Sequence, residues 1–240
     1  AELSETNQQL GTNPLFIEEG ASVEGCTINT QKGPVYIGHD ANVMEGSHLR
    51  GPLAIGHNAT VKVGAKLYEG TTIGPYSKVA GEISNSVIQA YTNKSHDGFL
   101  GNAVLGEWCN LGADTNNSNL KLDYRTIKVW DYQEGRFTDS GQQFCGLFMG
   151  DHSKTGINTM LNTGTVVGVC SNIFGPNFPR IFVPSFSWGG SAGFQTHQLK
   201  KALSTAEIVM GRREVSLTEA DQHILTTIFE QTQEYRHSYA

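Results

Sequence analysis

The chain has 240 residues, with 17 Lys and Arg against 23 Asp and Glu, a formal net charge of −6, and 38% hydrophobic residues. This composition excludes a disordered chain. No apolar run approaches the roughly 18 residues of a membrane-spanning helix, so no membrane partner is expected. The acidic balance, with no basic block, argues against nucleic acid as a partner.

The first 14 residues stand apart from the repeat that follows, and we interpret residues 1–14 as a leader or linker. The start at Ala1 brings neither a Met nor the apolar core of a signal peptide, which predicts a piece of a longer chain. The four cysteines lie far apart, without a C-x-x-C pair. This spacing favours reduced thiols and therefore a cytoplasmic protein.

An aliphatic residue recurs at every sixth position along much of the chain. The longest run consists of Ile37, Val43, Leu49, Ile55, Val61, Leu67, Ile73 and Val79. The spacing resumes at Phe99, Leu105 and Leu111, and again over residues 149–173. Three hexads can close one triangular coil in which the aliphatic residue points inward and a small residue, such as Ala41, packs near a corner. The repeat therefore predicts an all-β solenoid, a parallel β-helix, over residues 15–192.

Two stretches leave this repeat. Residues 120–146 carry a strand-and-turn pattern instead, so we expect an insertion that projects from one corner and reaches a neighbouring subunit through Trp130 and Tyr132. Residues 193–240 have a helical pattern, with Thr218 as a helix N-cap. We expect these C-terminal α-helices to cap one end of the β-helix, because an uncovered coil would expose strand edges.

Four segments carry a resemblance to a known family: residues 95–101 (SHDGFLG), 109–115 (CNLGADT), 118–121 (SNLK) and 149–158 (MGDHSKTGIN). The chain resembles the hexapeptide-repeat acyltransferases over about residues 15–190. More specifically, it resembles the C-terminal domain of the GlmU-like bifunctional sugar-1-phosphate nucleotidylyltransferase/acetyltransferases, with the last segment similar to their archaeal and Bacteroidetes-type members. The resemblance implies a left-handed coil, a homotrimer with active sites between protomers, and acetyl-coenzyme A as the acyl donor.

The resemblance also implies which residues do the chemistry. Acetyl transfer to an amine needs a base for the amine proton, and His96 matches the family's catalytic histidine. Asn119 matches the asparagine that contacts the amino sugar and the acetyl group. Phe99 stands in the substrate site where the better-known bacterial members carry Tyr, so one hydroxyl contact is lost. The expected reaction is acyl transfer, with an acetyl group expected, to the amino group of an amino-sugar 1-phosphate or a related precursor.

Basic residues are candidates for binding the sugar phosphate. Lys121 lies where relatives place a basic residue, and Arg50 and Lys62 lie on the coils before His96. Each of the three is alternatively a solvated charge on a coil face. A second group, formed by Asp151, His152 and Lys154, is a candidate for the coenzyme A groove, in which Asp151 could orient the imidazole. The same turn could instead help to fix the trimer or be simply exposed.

Two other functions remain open at this stage. The domain could be non-catalytic and serve to trimerise and regulate an attached sugar nucleotidyltransferase. A zinc site like that of the γ-class carbonic anhydrases would need a close histidine pair such as H-x₄-H, which the sequence lacks, so no metal is expected.

Position along the repeat also predicts how outward side chains are arranged. His39 and His57 are one coil apart and should stack on one face. Outward aromatic residues, namely Tyr68, Tyr76 and Trp108, would need partners, which favours the trimer.

Overall fold

The computed structural model describes residues 3–238, and the side chains of residues 3–236. Short parallel strands form three long faces, A, B and C, of a triangular prism. Face A holds β1 (Gln8–Leu10), β4 (Thr27–Asn29), β7 (His48–Arg50), β10 (Lys66–Leu67), β13 (Glu82–Ser84) and β16 (Phe99–Gly101). The strands β19 (Asn116–Asn117) and β24 (Met160–Leu161) pair with each other next to β16.

Face B holds β2 (Leu15–Ile17), β5 (Val35–Ile37), β8 (Leu53–Ile55), β11 (Thr71–Ile73), β14 (Val87–Ile88), β17 (Val104–Leu105), β22 (Leu147–Met149), β25 (Thr165–Val167) and β27 (Phe182–Val183). Face C holds β3 (Ser22–Val23), β6 (Asn42–Val43), β9 (Thr60–Val61), β12 (Lys78–Val79), β15 (Asn93–Lys94), β18 (Asn110–Leu111), β23 (Lys154–Thr155), β26 (Asn172–Ile173), β28 (Ser187–Gly190) and β29 (Gly193–Thr196). The predicted parallel β-helix is confirmed.

The six-residue repeat defines the interior of the prism. All eight aliphatic residues from Ile37 to Val79 are at most 1% exposed and belong to one continuous core. The small residues four positions later are buried as well, including Ala41, Ser47 and Ser77. Because a strand alternates its side chains between two faces, most of the short strands contribute one or two apolar groups to this core.

The predicted continuation of the repeat at Phe99 is wrong by one residue. Leu100 points inward and is 1% exposed, whereas Phe99 is only half-buried. The physical reason is a shortened coil. Ile88 pairs with Leu105, seventeen residues later instead of eighteen, so the inward residues Leu100 and Leu105 are only five positions apart. The missing residue shifts the frame of the repeat by one.

A column of rings, stacked except for the edge-on contact of His57 with Tyr76, follows the corner between faces B and C. It consists of His39, His57, Tyr76, Tyr91, Trp108 and His152. The predicted stacking of His39 on His57 is confirmed, with ring centroids 4.7 Å apart. The expectation that Tyr76 and Trp108 need partners from another chain is wrong, because each stacks against rings of its own column.

The insertion is an antiparallel hairpin of β20 (Lys128–Asp131) and β21 (Arg136–Asp139). Trp130 is 7% exposed and stacks on Phe182 of the chain's own prism with centroids 4.0 Å apart. The expectation that Trp130 anchors a neighbouring subunit is therefore wrong. Tyr132 also contacts Phe182 edge-on, and it keeps 42% of its surface exposed.

The C-terminal segment covers the last coil and then runs beside the prism. The antiparallel pair β28 and β29 places Phe194 against the prism core. Three helices follow, α1 (Leu199–Gly211), α2 (Glu219–Gln231) and α3 (Gln233–Ser238). The predicted N-cap Thr218 is confirmed, as part of a capping box with Asp221. Within residues 3–238, no helix is long and apolar enough to cross a membrane.

Candidate active site

His96 lies in a tight loop between β15 on face C and β16 on face A. Gly98 makes this loop possible, because its φ of +122° is a conformation that side chains oppose. A Cβ atom on Gly98 would also lie 2.3 Å from the carbonyl oxygen of Thr115 in the next coil. The loop therefore packs closely on the prism, and the exposed side chain of His96 projects from it.

A buried lysine holds this loop from inside the prism. Lys94 is 1% exposed and pairs in register with Val79, so it occupies an interior position that is aliphatic in earlier coils. Its Nζ donates hydrogen bonds to the carbonyl oxygens of His96, at 2.7 Å, and of Ala80, at 3.2 Å. Burial lowers the pKa of Lys94 to about 8, although Asp97 and Asp114 oppose the shift. Lys94 thus fixes the backbone of the residue predicted to be the base.

His96 opens onto a cleft of about 520 Å³ on face C. The floor of the cleft includes the side chains of Asn93 and Asn110, and one wall is formed by Tyr91 and Trp108 of the stacked column. A cleft of this size suits a small ligand or part of a larger one.

The opposite side of the cleft comes from the C-terminal segment. Val209 of α1 and the two residues that follow this helix, Arg212 and Arg213, line the cleft. The guanidinium of Arg213 donates to Oδ1 of Asn93 at 3.1 Å, which joins the helical segment to face C. Lys78 completes the lining. These three cations are not among the predicted site residues. Lys78 lies on a regular strand of the repeat, and the helical pattern before Arg212 and Arg213 does not show where the helix docks.

The predicted partner Asn119 lies away from this cleft in the same chain. Its Nδ2 donates to Oδ1 of Asn102 at 2.7 Å. Both Asn119 and the ring of Phe99 approach Gly101, where an added Cβ would lie 2.4 Å from the ring and 2.9 Å from Nδ2. Phe99 and Asn119 are therefore neighbours, and neither lines the cleft that His96 borders.

The three predicted phosphate ligands lie in three different places. Lys121 lines another cleft, of about 550 Å³, with its Nζ 3.9 Å from Asp123. Arg50 is paired with Glu69 at 3.2 Å on face A. Lys62, in contrast, lies close enough to Lys78 to lower the pKa of that residue, which lines the His96 cleft.

The turn with Asp151, His152 and Lys154 is largely occupied by internal contacts. Asp151 accepts a hydrogen bond from the backbone N–H of Glu107 at 2.8 Å, and Lys154 donates to the carbonyl oxygen of His152 at 2.8 Å. His152 is buried, and its Nδ1 has no hydrogen-bond partner among the described residues. The expected hydrogen bond between Asp151 and Nδ1 of this imidazole is therefore not formed, and the expectation that Asp151 orients the ring through Nδ1 is wrong. Burial lowers the pKa of His152 to about 4, and Lys154 adds to the shift.

No group of three or more His, Cys, Asp or Glu side chains placed to hold a metal ion is found between residues 3 and 238. No protein-family model matches the chain. Curated proteins do match.

The chain is 36% identical over 145 residues to a bifunctional sugar-1-phosphate nucleotidylyltransferase/acetyltransferase of Sulfurisphaera tokodaii, an alignment that covers 60% of this chain and 36% of the relative. It is 33% identical over 102 residues to the bifunctional protein GlmU of Methanocaldococcus jannaschii, covering 42% and 23% of the two chains. The chain thus spans about a third or less of these relatives.

Solved structures were also compared. The UDP-N-acetylglucosamine acyltransferase from Campylobacter jejuni is 14% identical, covers 90% of this chain and 81% of its own, and gives a TM-score of 0.40. So loose a superposition adds nothing to the strand pairings described above. The sequence matches, however, confirm the resemblance predicted from the motifs: this chain is similar, over part of their length, to the bifunctional sugar-1-phosphate nucleotidylyltransferase/acetyltransferases of the GlmU group.

Proposed function

We propose that this chain transfers an acyl group, an acetyl group in the simplest case, from a coenzyme A thioester to the amino group of an amino-sugar 1-phosphate or a related precursor. The single observation that carries the proposal is the placement of His96, exposed on a ligand-sized cleft and fixed at its backbone by buried Lys94. The names of the GlmU-group relatives supply the reaction class.

In this reaction the imidazole of His96 accepts the proton that the amine loses as its nitrogen attacks the thioester carbonyl. A C–N bond forms and the C–S bond breaks. The same proton then passes to the departing thiolate of coenzyme A. The amides of Asn93 and Asn110 line the cleft and supply neutral hydrogen-bond donors for the oxygen that becomes negative during the attack.

Asn119 enters this mechanism only if two chains share the site. In its own chain it does not line the His96 cleft and is a neighbour of Phe99. We therefore propose that Asn119 contacts the sugar bound at the His96 cleft of an adjacent protomer. A trimer closed by three-fold symmetry makes three such sites.

An apolar column on face B supports the homotrimer. It has two parts, which Ala54 and the exposed Thr72 separate on the same face. The exposed apolar members are each 37% or more exposed; they are Phe16, Tyr36, Val87, Val104 and Phe148. An exposed apolar patch of this kind marks an interaction surface. Val104→Glu should lower the mass measured by light scattering at micromolar concentration. Val63→Glu, exposed outside the column, should not.

We also propose a cytoplasmic location. The four cysteines, Cys26, Cys109, Cys145 and Cys170, are all free and buried. Free thiols are the usual state in a reducing compartment.

The test is release of free thiol from acetyl-coenzyme A against a panel of amino-sugar 1-phosphates. His96→Ala should lose about 10²–10⁴-fold in turnover while coenzyme A affinity barely changes, because a base acts in the transition state. His223→Ala, an exposed histidine on α2, is the matched control and should keep full activity. Full activity of His96→Ala would refute the assignment of the base. A wild-type protein inactive with every amino sugar would favour the regulatory alternative.

A further inference from the structure

Three basic side chains line the His96 cleft, namely Lys78, Arg212 and Arg213. Lys62 lies beside Lys78, because its backbone N–H donates to the carbonyl oxygen of Val79 at 2.9 Å. We call these four residues the cationic cluster. Lys78 lies on β12, and Lys62 follows β9, the neighbouring strand of face C. The two arginines follow α1, more than 130 residues later in the chain. The docking of α1 beside face C therefore creates the cluster.

No member of the cationic cluster forms an ion pair with a carboxylate in the part of the chain that the structure describes. Some basic residues elsewhere do have such a partner: Arg50, Lys121 and Arg136 each lie within 4 Å of a carboxylate. The cluster is thus uncompensated in a protein whose net charge is −6.

The pKa of Lys78 shows that positive charge dominates this region. Burial lowers the pKa of Lys78, and Arg213, Lys62 and Arg212 lower it further. Each charged neighbour identified as shifting this pKa is a cation. Cations held together without a counter-charge repel one another, and a bound anion relieves that repulsion.

The shape of the site selects the kind of anion. Arg212, Arg213 and Lys78 face a cleft of about 520 Å³ rather than a flat surface, and His96 lines the same cleft. Guanidinium groups match phosphate oxygens with two parallel hydrogen bonds, and an ammonium adds a point charge. A carboxylate ligand has fewer oxygens and one charge, and so uses this cluster less fully.

We propose that the cationic cluster binds a phosphate or pyrophosphate group of a ligand whose other end reaches His96. The identity of that ligand rests on the proposed function. The phosphate belongs either to coenzyme A or to the amino-sugar 1-phosphate, and both present the same phosphate-ester chemistry to the cluster. Arg213 has two tasks, because it holds α1 to Asn93 and offers its guanidinium to the anion.

The experiment is titration calorimetry with the full chain and five probes: coenzyme A, dephospho-coenzyme A, pantetheine, glucosamine 1-phosphate and glucosamine. Arg212→Gln, Arg213→Gln and Lys78→Gln remove one charge each. Lys200→Gln is the control, because this exposed residue is on the first turn of α1, about 18 Å along the helix from Arg212. Each cluster variant should weaken binding of a phosphate-bearing probe about 10-fold or more, and the control should not.

The probes identify the source of the phosphate. Weaker binding of coenzyme A with unchanged pantetheine assigns the cluster to the acyl donor, and dephospho-coenzyme A separates its 3′-phosphate from its pyrophosphate. Weaker binding of glucosamine 1-phosphate with unchanged glucosamine assigns the cluster to the sugar. The proposal is overturned if all three cluster variants bind every phosphate-bearing probe as tightly as the wild type does.

Failure of this inference differs from failure of the proposed function. Phosphate binding that depends on the cluster, without any acyl transfer, would support the anion site and refute the proposed function. Acyl transfer with unchanged Kd and KM in Arg212→Gln, Arg213→Gln and Lys78→Gln would support the proposed function and refute the anion site. Raised ionic strength gives a further check, since it should weaken wild-type binding more than binding by the variants.

Discussion

The coils before residue 80 and the coil that carries His96 are built on the same plan with different interiors. In the earlier coils the inward positions are aliphatic, and eighteen residues separate paired strands such as β9 and β12. In the His96 coil the spacing falls to fifteen residues on face C, and Lys94 takes an inward position. The regular interior packs aliphatic side chains against one another, whereas the irregular one holds the loop that carries His96 through the hydrogen bond from Lys94.

The largest expected effect tests the regular region. Leu67→Ala should lower the free energy of unfolding by about 4 kcal/mol, because the closely packed interior cannot collapse into the space left by the side chain. Urea unfolding measures the change. Lys66→Ala, whose side chain is exposed on the same strand, should change stability by less than about 0.5 kcal/mol. Equal losses in the two variants would contradict the distinction between inward and outward positions.

The next effect comes from the buried charge of the His96 coil. The folded-state pKa of Lys94 is about 8, below the usual 10.5, so the unfolded chain holds the extra proton between these values. Stability should therefore rise with pH through this window, by up to about 3 kcal/mol. Urea unfolding of the wild type and of Lys94→Met, at pH 7.5, 9 and 10.5, isolates the contribution. Parallel pH profiles of the two proteins would show that Lys94 does not titrate in this way.

The smallest expected effect is on the kcat of Lys94→Met, which separates the role of Lys94 in positioning His96 from its role in stability. Lys94→Met keeps the length of the side chain but removes the hydrogen bond to the His96 carbonyl. We expect kcat to fall about 10-fold, equivalent to about 1.4 kcal/mol. Stability at pH 7 should change by less than about 1.5 kcal/mol, because loss of a buried charge offsets loss of its hydrogen bonds. Steady-state kinetics measures the change, and Lys66→Met is the control variant. An unchanged kcat of Lys94→Met would show that Lys94 does not position His96.

The same comparison explains what could be predicted from the sequence. Leu67 and its equivalents were predictable, because an interior reached once in every six residues imposes that spacing on the chain. Phe99 was placed one residue out of frame, because a shortened coil leaves no local signal. Lys94 was overlooked as an interior residue for the same reason.

The contacts made between distant segments were harder to predict. Trp130 stacks on Phe182, and Arg213 reaches Asn93, although many residues separate each pair along the chain. No periodic pattern encodes where a hairpin or a helix docks on the prism. The motif around His96 indicates the loop, but two of the cations that line its cleft, Arg212 and Arg213, come from a segment whose pattern indicates only a helix.

The stacked column along the corner between faces B and C gives the chain an optical signature. Tyr91 and Trp108 have ring centroids 4.1 Å apart with an interplanar angle of 5°, and both rings border the cleft. Rings stacked so closely should couple electronically and contribute to the near-ultraviolet circular dichroism spectrum. Because the other two tryptophans, Trp130 and Trp188, lie outside this cleft lining, a ligand in the cleft should change the total tryptophan emission through Trp108 alone.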